Sequence, residues 1–145
     1  MSASRKLGFA WIALCLALAV HVADEALTDF LSVYNPMVAA IRAKLPFLPL
    51  PTFTFEGWLA GLIVGVLLLL ALSPFVFRGA RWMVIVAYVF AVFMFLNGTL
   101  HLLGSVYLAR FMPGVYSAPL LLIASIFLMI CARRCWRDSQ AHVIH

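Results

Sequence analysis

The chain has 145 residues, of which 66% are hydrophobic and only 10% are charged, and its mean hydropathy is +1.11. Soluble domains carry roughly 45–50% apolar and about 25% charged residues, so this composition excludes an ordinary soluble domain and indicates a membrane protein. The net charge of +5 does not change that conclusion, because the sequence has no soluble basic domain to bind nucleic acid. We therefore predict no nucleic-acid partner.

Four apolar stretches are long enough to cross a bilayer, which takes about 20 residues per helix. They cover approximately residues 7–33, 57–77, 82–109 and 115–134. None of them alternates in the way that the strands of a membrane barrel do, so the sequence predicts an all-α, multi-pass fold. We expect a single integral membrane domain, residues 1–145, built as a bundle of four transmembrane helices.

The first stretch has two interpretations. It continues from His21 to Tyr34 without a glycine or proline, which favours one long transmembrane helix. Alternatively, the basic N-terminus, the apolar run and the triplet from Ala17 to Ala19 resemble a secretory signal peptide. Cleavage would remove much of the first helix and would leave the other three spans in the same orientation.

The first outer loop is long and rich in proline. We expect residues 36–55 to form a short interfacial helix that Pro36 opens, followed by an extended segment. Three later prolines prevent the helix from continuing; they are Pro46, Pro49 and Pro51.

Basic residues predict the orientation of the spans. With the N-terminus inside, the inner side carries seven lysines or arginines and the outer side three, which fits the positive-inside rule. The inner residues are Arg5, Lys6, Arg78, Arg81, Arg133, Arg134 and Arg137, and the outer ones are Arg42, Lys44 and Arg110. We expect both termini in the cytoplasm, the plasma membrane of a bacterium as the location, and membrane lipids as partners. The short inner turn predicts that the second and third spans are antiparallel neighbours.

Three of the five acidic residues lie at the end of the first span: Asp24, Glu25 and Asp29. An ionised carboxylate at the centre of a span costs roughly 2.5–3.5 kcal/mol on insertion scales, so these groups need polar surroundings. Helical geometry places them on one face with His21 and Thr28. This face is expected to line a polar site, with Asp29 near the outer headgroups.

The third span carries a second polar pair. Asn97 and His101 are one helical turn apart and share a face. Both lie in the outer half of the membrane, at nearly the level of His21, so the two polar faces are expected to meet. Gly98 and Gly104 would let another helix approach closely.

The turn before the last span contains Pro113 and Gly114, and Gly114 is free to take a positive φ. Tyr107 and Tyr116 flank this turn and are expected to mark the outer interface. Tyr116 or Ser117 could also line the mouth of the site.

Three motifs in this chain resemble those of the HXXEE family of small multi-pass membrane proteins. They are the run from His21 to Glu25, the run from Asn97 to His101, and the segment from Tyr107 to Pro119, in that order. The family motif has a glutamate where this chain has Asp24, which is shorter by one methylene. The family has no established reaction, so the resemblance implies one functional unit spanning most of the chain and no particular chemistry.

Histidine, carboxylate and amide groups are suitable ligands for a divalent metal ion such as Zn, Fe or Mn. We expect His21, Asp24, Glu25 and His101 to bind such an ion. Asp24 would be the fourth ligand or the catalytic base, and Asn97 would orient a ligand or the substrate. The first hypothesis is an intramembrane metal-dependent enzyme that acts on a lipid-like substrate.

Two other functions would use the same residues. Without a metal, His21 or His101 could exchange a proton with Glu25 or Asp24 in an isomerase of a sterol-like or isoprenoid ligand. Alternatively, the acidic face could line the pathway of a non-enzymatic ligand-binding or proton-linked transport subunit. Four helices are few for a transporter unless it forms a homo-oligomer, and the sequence leaves both alternatives open.

Overall fold

The computed structural model describes residues 1–141, and all regular elements in that part of the chain are α-helices, as predicted. In chain order they are α1 (Ala3–Leu27), α2 (Phe30–Lys44), α3 (Phe55–Ala71), α4 (Ser73–Phe77), α5 (Arg81–Tyr107) and α6 (Ala118–Ala141). The end of the single domain predicted for residues 1–145 lies outside the described residues.

Four helical stretches are long and apolar enough to cross a membrane, by length and composition. They are α1, the combined stretch Phe55–Phe77 of α3 and α4, α5, and Ala118–Gln140 of α6. This agrees with the number and order of the spans predicted from the sequence.

The first helix ends earlier than the predicted span of residues 7–33. It stops at Leu27, and the Thr28 N–H donates to the carbonyl of Asp24. Asp29 then takes the left-handed conformation, with φ 58° and ψ 54°. Aspartate is one of the few non-glycine residues that visit this region, because its short polar side chain can bond locally. The polar residues of α1 therefore stand in its last two turns and not in the middle of one long helix.

The loop helix α2 also differs from its prediction. It begins at Phe30, so Pro36 lies inside it and does not open it. The segment of residues 45–54 that follows is irregular, as its prolines predicted. Asn35 holds this segment against α2: its Nδ2 donates to the carbonyl of Phe53 over 2.9 Å, and its Oδ1 accepts from the Phe53 N–H over 3.1 Å.

Helix α1 is the centre of the bundle and packs against α3, α4 and α6. Leu7, Trp11 and Leu14 are fully buried in this core, and the Trp11 Nε1 donates to the carbonyl of Leu69 over 3.0 Å. The second and third spans meet mainly through α4, which contacts α5, whereas α3 lies mainly against α1 and α5 pairs with α6. The break between α3 and α4 falls at Leu72, so the short turn joins α4, not α3, to α5.

Close packing of α5 on α6 depends on Gly98. A Cβ atom there would lie 3.1 Å from Cγ of Leu122 and 3.2 Å from the carbonyl oxygen of Ala118. The prediction of a close approach is thus confirmed at this position. At Gly104 a Cβ would make only ordinary contact, 3.6 Å from the Met112 side chain. The Gly98 contact brings the last turns of α5 beside the first turn of α6.

Candidate metal centre

Three potential metal ligands converge where α1 and α5 end. His21 and Glu25 come from successive turns of α1, and His101 comes from α5. All three are buried, with 0%, 6% and 8% of their surface exposed. One carboxylate oxygen, Glu25 Oε1, lies 3.1 Å from Nε2 of His101 and 3.6 Å from Nε2 of His21. The predicted meeting of the two polar faces is therefore observed at these three residues.

The hydrogen-bond network assigns the tautomer of His101. Its Nδ1 lies 2.5 Å from the carbonyl oxygen of Pro113, in the turn before α6. A carbonyl oxygen can only accept, so Nδ1 carries the proton. In the neutral ring, Nε2 is then a bare lone pair that faces the Glu25 carboxylate.

His21 is assigned in the same way through Ser117. The Ser117 hydroxyl has one proton, and its shortest acceptor is the carboxylate oxygen Oδ2 of Asp24, at 2.7 Å. The hydroxyl oxygen then accepts from Nδ1 of His21 over 2.8 Å. In the neutral ring, the Nε2 of His21 then has no proton, and it has no hydrogen-bonding partner among the described residues.

Three acceptor atoms therefore face one another without enough protons to join them. One ring nitrogen of each histidine and one carboxylate oxygen are within 4.8 Å of one another, and with both rings neutral these two nitrogens are bare. Ligands about 2.1 Å from a tetrahedral zinc ion stand roughly 3.4 Å apart, close to the 3.1 Å and 3.6 Å separations observed. Metal-binding histidines also typically donate their other N–H to a carbonyl or to a carboxylate-linked group, as both do here. The group could hold a metal ion.

Asp24 lies outside the group of three ligands and contacts Ser117. Its Oδ2 accepts from the backbone N–H of Ser117 over 2.8 Å as well as from the hydroxyl. Ser117 immediately precedes α6, so the carboxylate of α1 satisfies a free N–H at the start of a neighbouring helix and favours its positive end. The structure thus brings together three of the four predicted ligands and places Asp24 behind His21.

The remaining predicted residues divide into supporting and peripheral ones. The Thr28 hydroxyl donates to the Asp24 carbonyl and accepts from the Gly114 N–H over 3.3 Å, which ties the end of α1 to the turn. Asn97 is half-buried and takes no part in the hydrogen bonds of the site among the described residues. Tyr107 and Tyr116 are 88% and 68% exposed.

The walls of the site come from residues whose role the sequence did not show. Gly114, with φ 82°, packs so closely that a Cβ would lie 2.9 Å from the His101 ring and 3.0 Å from Cγ of Glu25. On another side, the ring of Phe30 lies 6.0 Å from that of His101 and stacks on Trp58 at 5.7 Å. The polar group is thus enclosed by a glycine turn and by aromatic rings.

The arrangement can hold a cation, or it can share one proton between a histidine and a carboxylate. No protein-family model, curated protein or solved structure matches this chain. The chemistry of the site therefore has to be inferred from its own residues.

Proposed function

We propose that this chain is an integral membrane protein with four spans, both termini in the cytoplasm and α2 at the outer interface. The four apolar helices support this proposal. So does the position of Gly79, where a Cβ would lie 3.1 Å from Cβ of Ser4, because it brings the start of α1 beside the turn that precedes α5. Cations gather at that end, as the positive-inside rule requires: Arg5, Lys6, Arg78 and Arg81.

We further propose that His21, Glu25 and His101 bind one divalent metal ion and that the protein is an intramembrane metal-dependent enzyme. One observation carries the proposal: each histidine Nδ1 has an oxygen partner of its own, so in the neutral rings both Nε2 lone pairs face the same carboxylate oxygen. A single cation satisfies all three acceptors, whereas a single proton joins only two of them. The ion also offsets the cost of a buried carboxylate charge.

The ligand set suggests the class of metal and of chemistry. Two histidines and one carboxylate suit Zn, ferrous iron or Mn. Three protein ligands leave at least one position for water or substrate, which is the arrangement of catalytic rather than structural zinc sites. Such an ion would supply a Lewis acid able to polarise a substrate oxygen or to activate water.

The surroundings favour a lipid-like substrate. The site lies between the ends of apolar helices, and the rings of Phe30 and Trp58 adjoin it. Aromatic surface therefore adjoins the ligand group and could contact an apolar molecule bound there. The three HXXEE-like motifs support a single functional unit, since each contributes to the site: His21 and Glu25, then His101, then Gly114 and Ser117.

Metal content tests the proposal directly. The protein is purified in mild detergent with a tag that lacks histidine, stripped with a chelator, and resupplied with Zn, Mn or ferrous iron. We expect about one ion per chain by mass spectrometry. A protein that stays empty with all three metals contradicts the metal site.

Proton exchange without a metal is the second candidate, as in an isomerase of a sterol-like or isoprenoid ligand. The 3.1 Å distance between Nε2 of His101 and Oε1 of Glu25 favours it, because a proton placed between these atoms makes a good hydrogen bond. It leaves the buried Nε2 of His21 without a partner, which is why we rank it second. A protein that binds none of the three resupplied metals would support this alternative.

Ser117 is expected to tune the metal site without touching the ion. Ser117→Ala removes the group that holds His21 in its tautomer, and loss of such a partner typically weakens metal binding by about 10–100-fold. Ser125→Ala is the matched control, because Ser125 is a buried serine within α6 whose hydroxyl, among the described residues, bonds only to the Leu121 carbonyl of its own helix. Competition with a metal-binding dye measures both affinities. Equal affinity in the two variants would contradict the proposed role of Ser117.

A further inference from the structure

A second feature lies at the opposite end of the bundle from His21 and His101. A groove of about 810 Å³ runs between the start of α5 and the end of α6. Its volume falls within the roughly 300–1,000 Å³ of small-molecule sites. On the α5 side, the wall consists of side chains one and two turns into the helix, including Ile85, Tyr88 and Val89.

The two ends of the groove differ in chemistry. Arg133, Arg134 and Arg137 line it on the α6 side, and all three are exposed. None of them pairs with an Asp or Glu carboxylate among residues 1–141. About one turn before these arginines, Ile130 of α6 lines the groove together with the apolar side chains of α5. Ile85, Val89 and Ile130 are 43–52% exposed. Cations therefore lie at one end of the groove and apolar side chains at the other.

The length of the groove is also informative. From Ile130 to Arg137 the rise along α6 is about 10 Å, at 1.5 Å per residue. This distance suits a charged headgroup together with the first carbons of an acyl chain. A free phosphate would use the arginines and would leave the apolar wall uncovered.

We propose that this groove binds an anionic phospholipid, with the phosphate at the three arginines and an acyl chain along Ile85 and Val89. Guanidinium groups bind phosphate through two parallel hydrogen bonds, and basic pockets between spanning helices on the cytoplasmic side are suited to anionic headgroups. The Tyr88 ring also lines the groove, and its hydroxyl can donate to an ester oxygen. The proposal requires membrane insertion but does not depend on the metal.

Lipid titration followed by native mass spectrometry tests the arginines. Delipidated protein in detergent is titrated with dioleoyl phosphatidylglycerol or dioleoyl phosphatidylcholine. We expect the anionic lipid to bind at least tenfold more tightly to the wild type. The triple variant R133Q/R134Q/R137Q should lose this preference to within about twofold, since each basic residue near a membrane surface contributes about fivefold.

A matched triple variant separates the groove from general charge. R5Q/K6Q/R78Q removes three exposed cations from the same end of the bundle that do not line the groove. It should keep the preference for phosphatidylglycerol. An equal loss in both triple variants, or no preference in the wild type, would overturn the proposal.

The apolar wall has its own test. Val89→Trp fills the groove while keeping the helix apolar, and we expect at least fivefold weaker phosphatidylglycerol binding. Ile123→Trp is the control, on a lipid-accessible face of α6 that is 68% exposed and outside the groove. Glycerol phosphate alone should not compete at equal concentration; if it does, the wall contributes nothing and the groove is only an anion site. Metal content and size-exclusion profiles of each variant show whether it is folded, so failure of the lipid site and failure of the metal site are distinguishable.

Discussion

Glu25→Gln is expected to reduce metal content from about one ion per chain to less than about one tenth. Glutamine keeps the shape of the side chain but removes the negative charge and the stronger ligand. Removing a residue that hydrogen-bonds to a metal ligand weakens metal affinity by about 10–100-fold. Removing the ligand itself should therefore weaken metal affinity by more than this. His21→Ala and His101→Ala should each have the same effect, because the three residues form one ligand set. Mass spectrometry after metal resupply measures all four proteins.

Thermal unfolding gives a second measure of the Glu25 variant. An ion at about 100 times its dissociation constant stabilises the folded state by about 2.7 kcal/mol, which raises Tm by roughly 5–10 °C in a chain of this size. The wild type should show this rise and Glu25→Gln should not. Without metal, the variant should be at least as stable as the wild type, because the glutamine NH₂ can donate to a bare Nε2, whereas the carboxylate bonds there only when the ring takes up an extra proton.

Asp29→Asn is the control for these experiments. Asp29 belongs to the same acidic stretch, but it is exposed and lies outside the ligand group, and asparagine tolerates its left-handed backbone. Metal content and the Tm rise should equal those of the wild type. If Glu25→Gln retains its metal, or if Asp29→Asn loses it, the assignment of the ligands is wrong.

Helical periodicity predicted the part of the candidate site that lies on α1 and α5. One turn separates His21 from Glu25, and residue counts along the spans placed His101 at the same depth. The roles of Ser117 and Asp24 were not accessible in this way, because the turn before α6 has no period that would place its groups in space. A signal was present, since a serine directly before Ala118 and Pro119 is typical of a helix start. This signal did not show which acidic residue of α1 would hydrogen-bond to Ser117.

The fold shows the same division between local and long-range information. The lengths of the apolar stretches predicted the four span-length helical stretches and their order along the chain. The helix break at Asp29 was missed because no glycine or proline marks it. The break rests on the left-handed conformation of a single aspartate, a residue that also occurs inside helices. The position of α3 against α1 was also missed, because loop length alone does not show that a helix break at Leu72 separates α3 from the turn. Adjacency of helices depends on packing that hydropathy does not encode.

Gly114→Ala is the second change for which we expect a large effect. The backbone at Gly114 has φ 82°, a conformation that costs a non-glycine residue about 1–3 kcal/mol. The new Cβ would also lie 2.9 Å from the His101 ring and 3.0 Å from Cγ of Glu25, and overpacking of this kind typically costs about 1–3 kcal/mol. Both ligands would have to shift, so we expect at least tenfold weaker metal binding together with a lower Tm.

Two other glycines separate the causes of this effect. Gly79→Ala imposes the same backbone strain, at φ 68°, in a turn at the opposite end of the bundle. It should lower Tm but leave metal affinity unchanged. Gly61→Ala adds a Cβ that meets nothing within 4 Å, and it should stabilise α3 by about 0.5–1 kcal/mol. If Gly79→Ala weakened metal binding as much as Gly114→Ala, general destabilisation would explain both results. A loss confined to Gly114→Ala would mean that the turn before α6 sets the distance between Glu25 and His101.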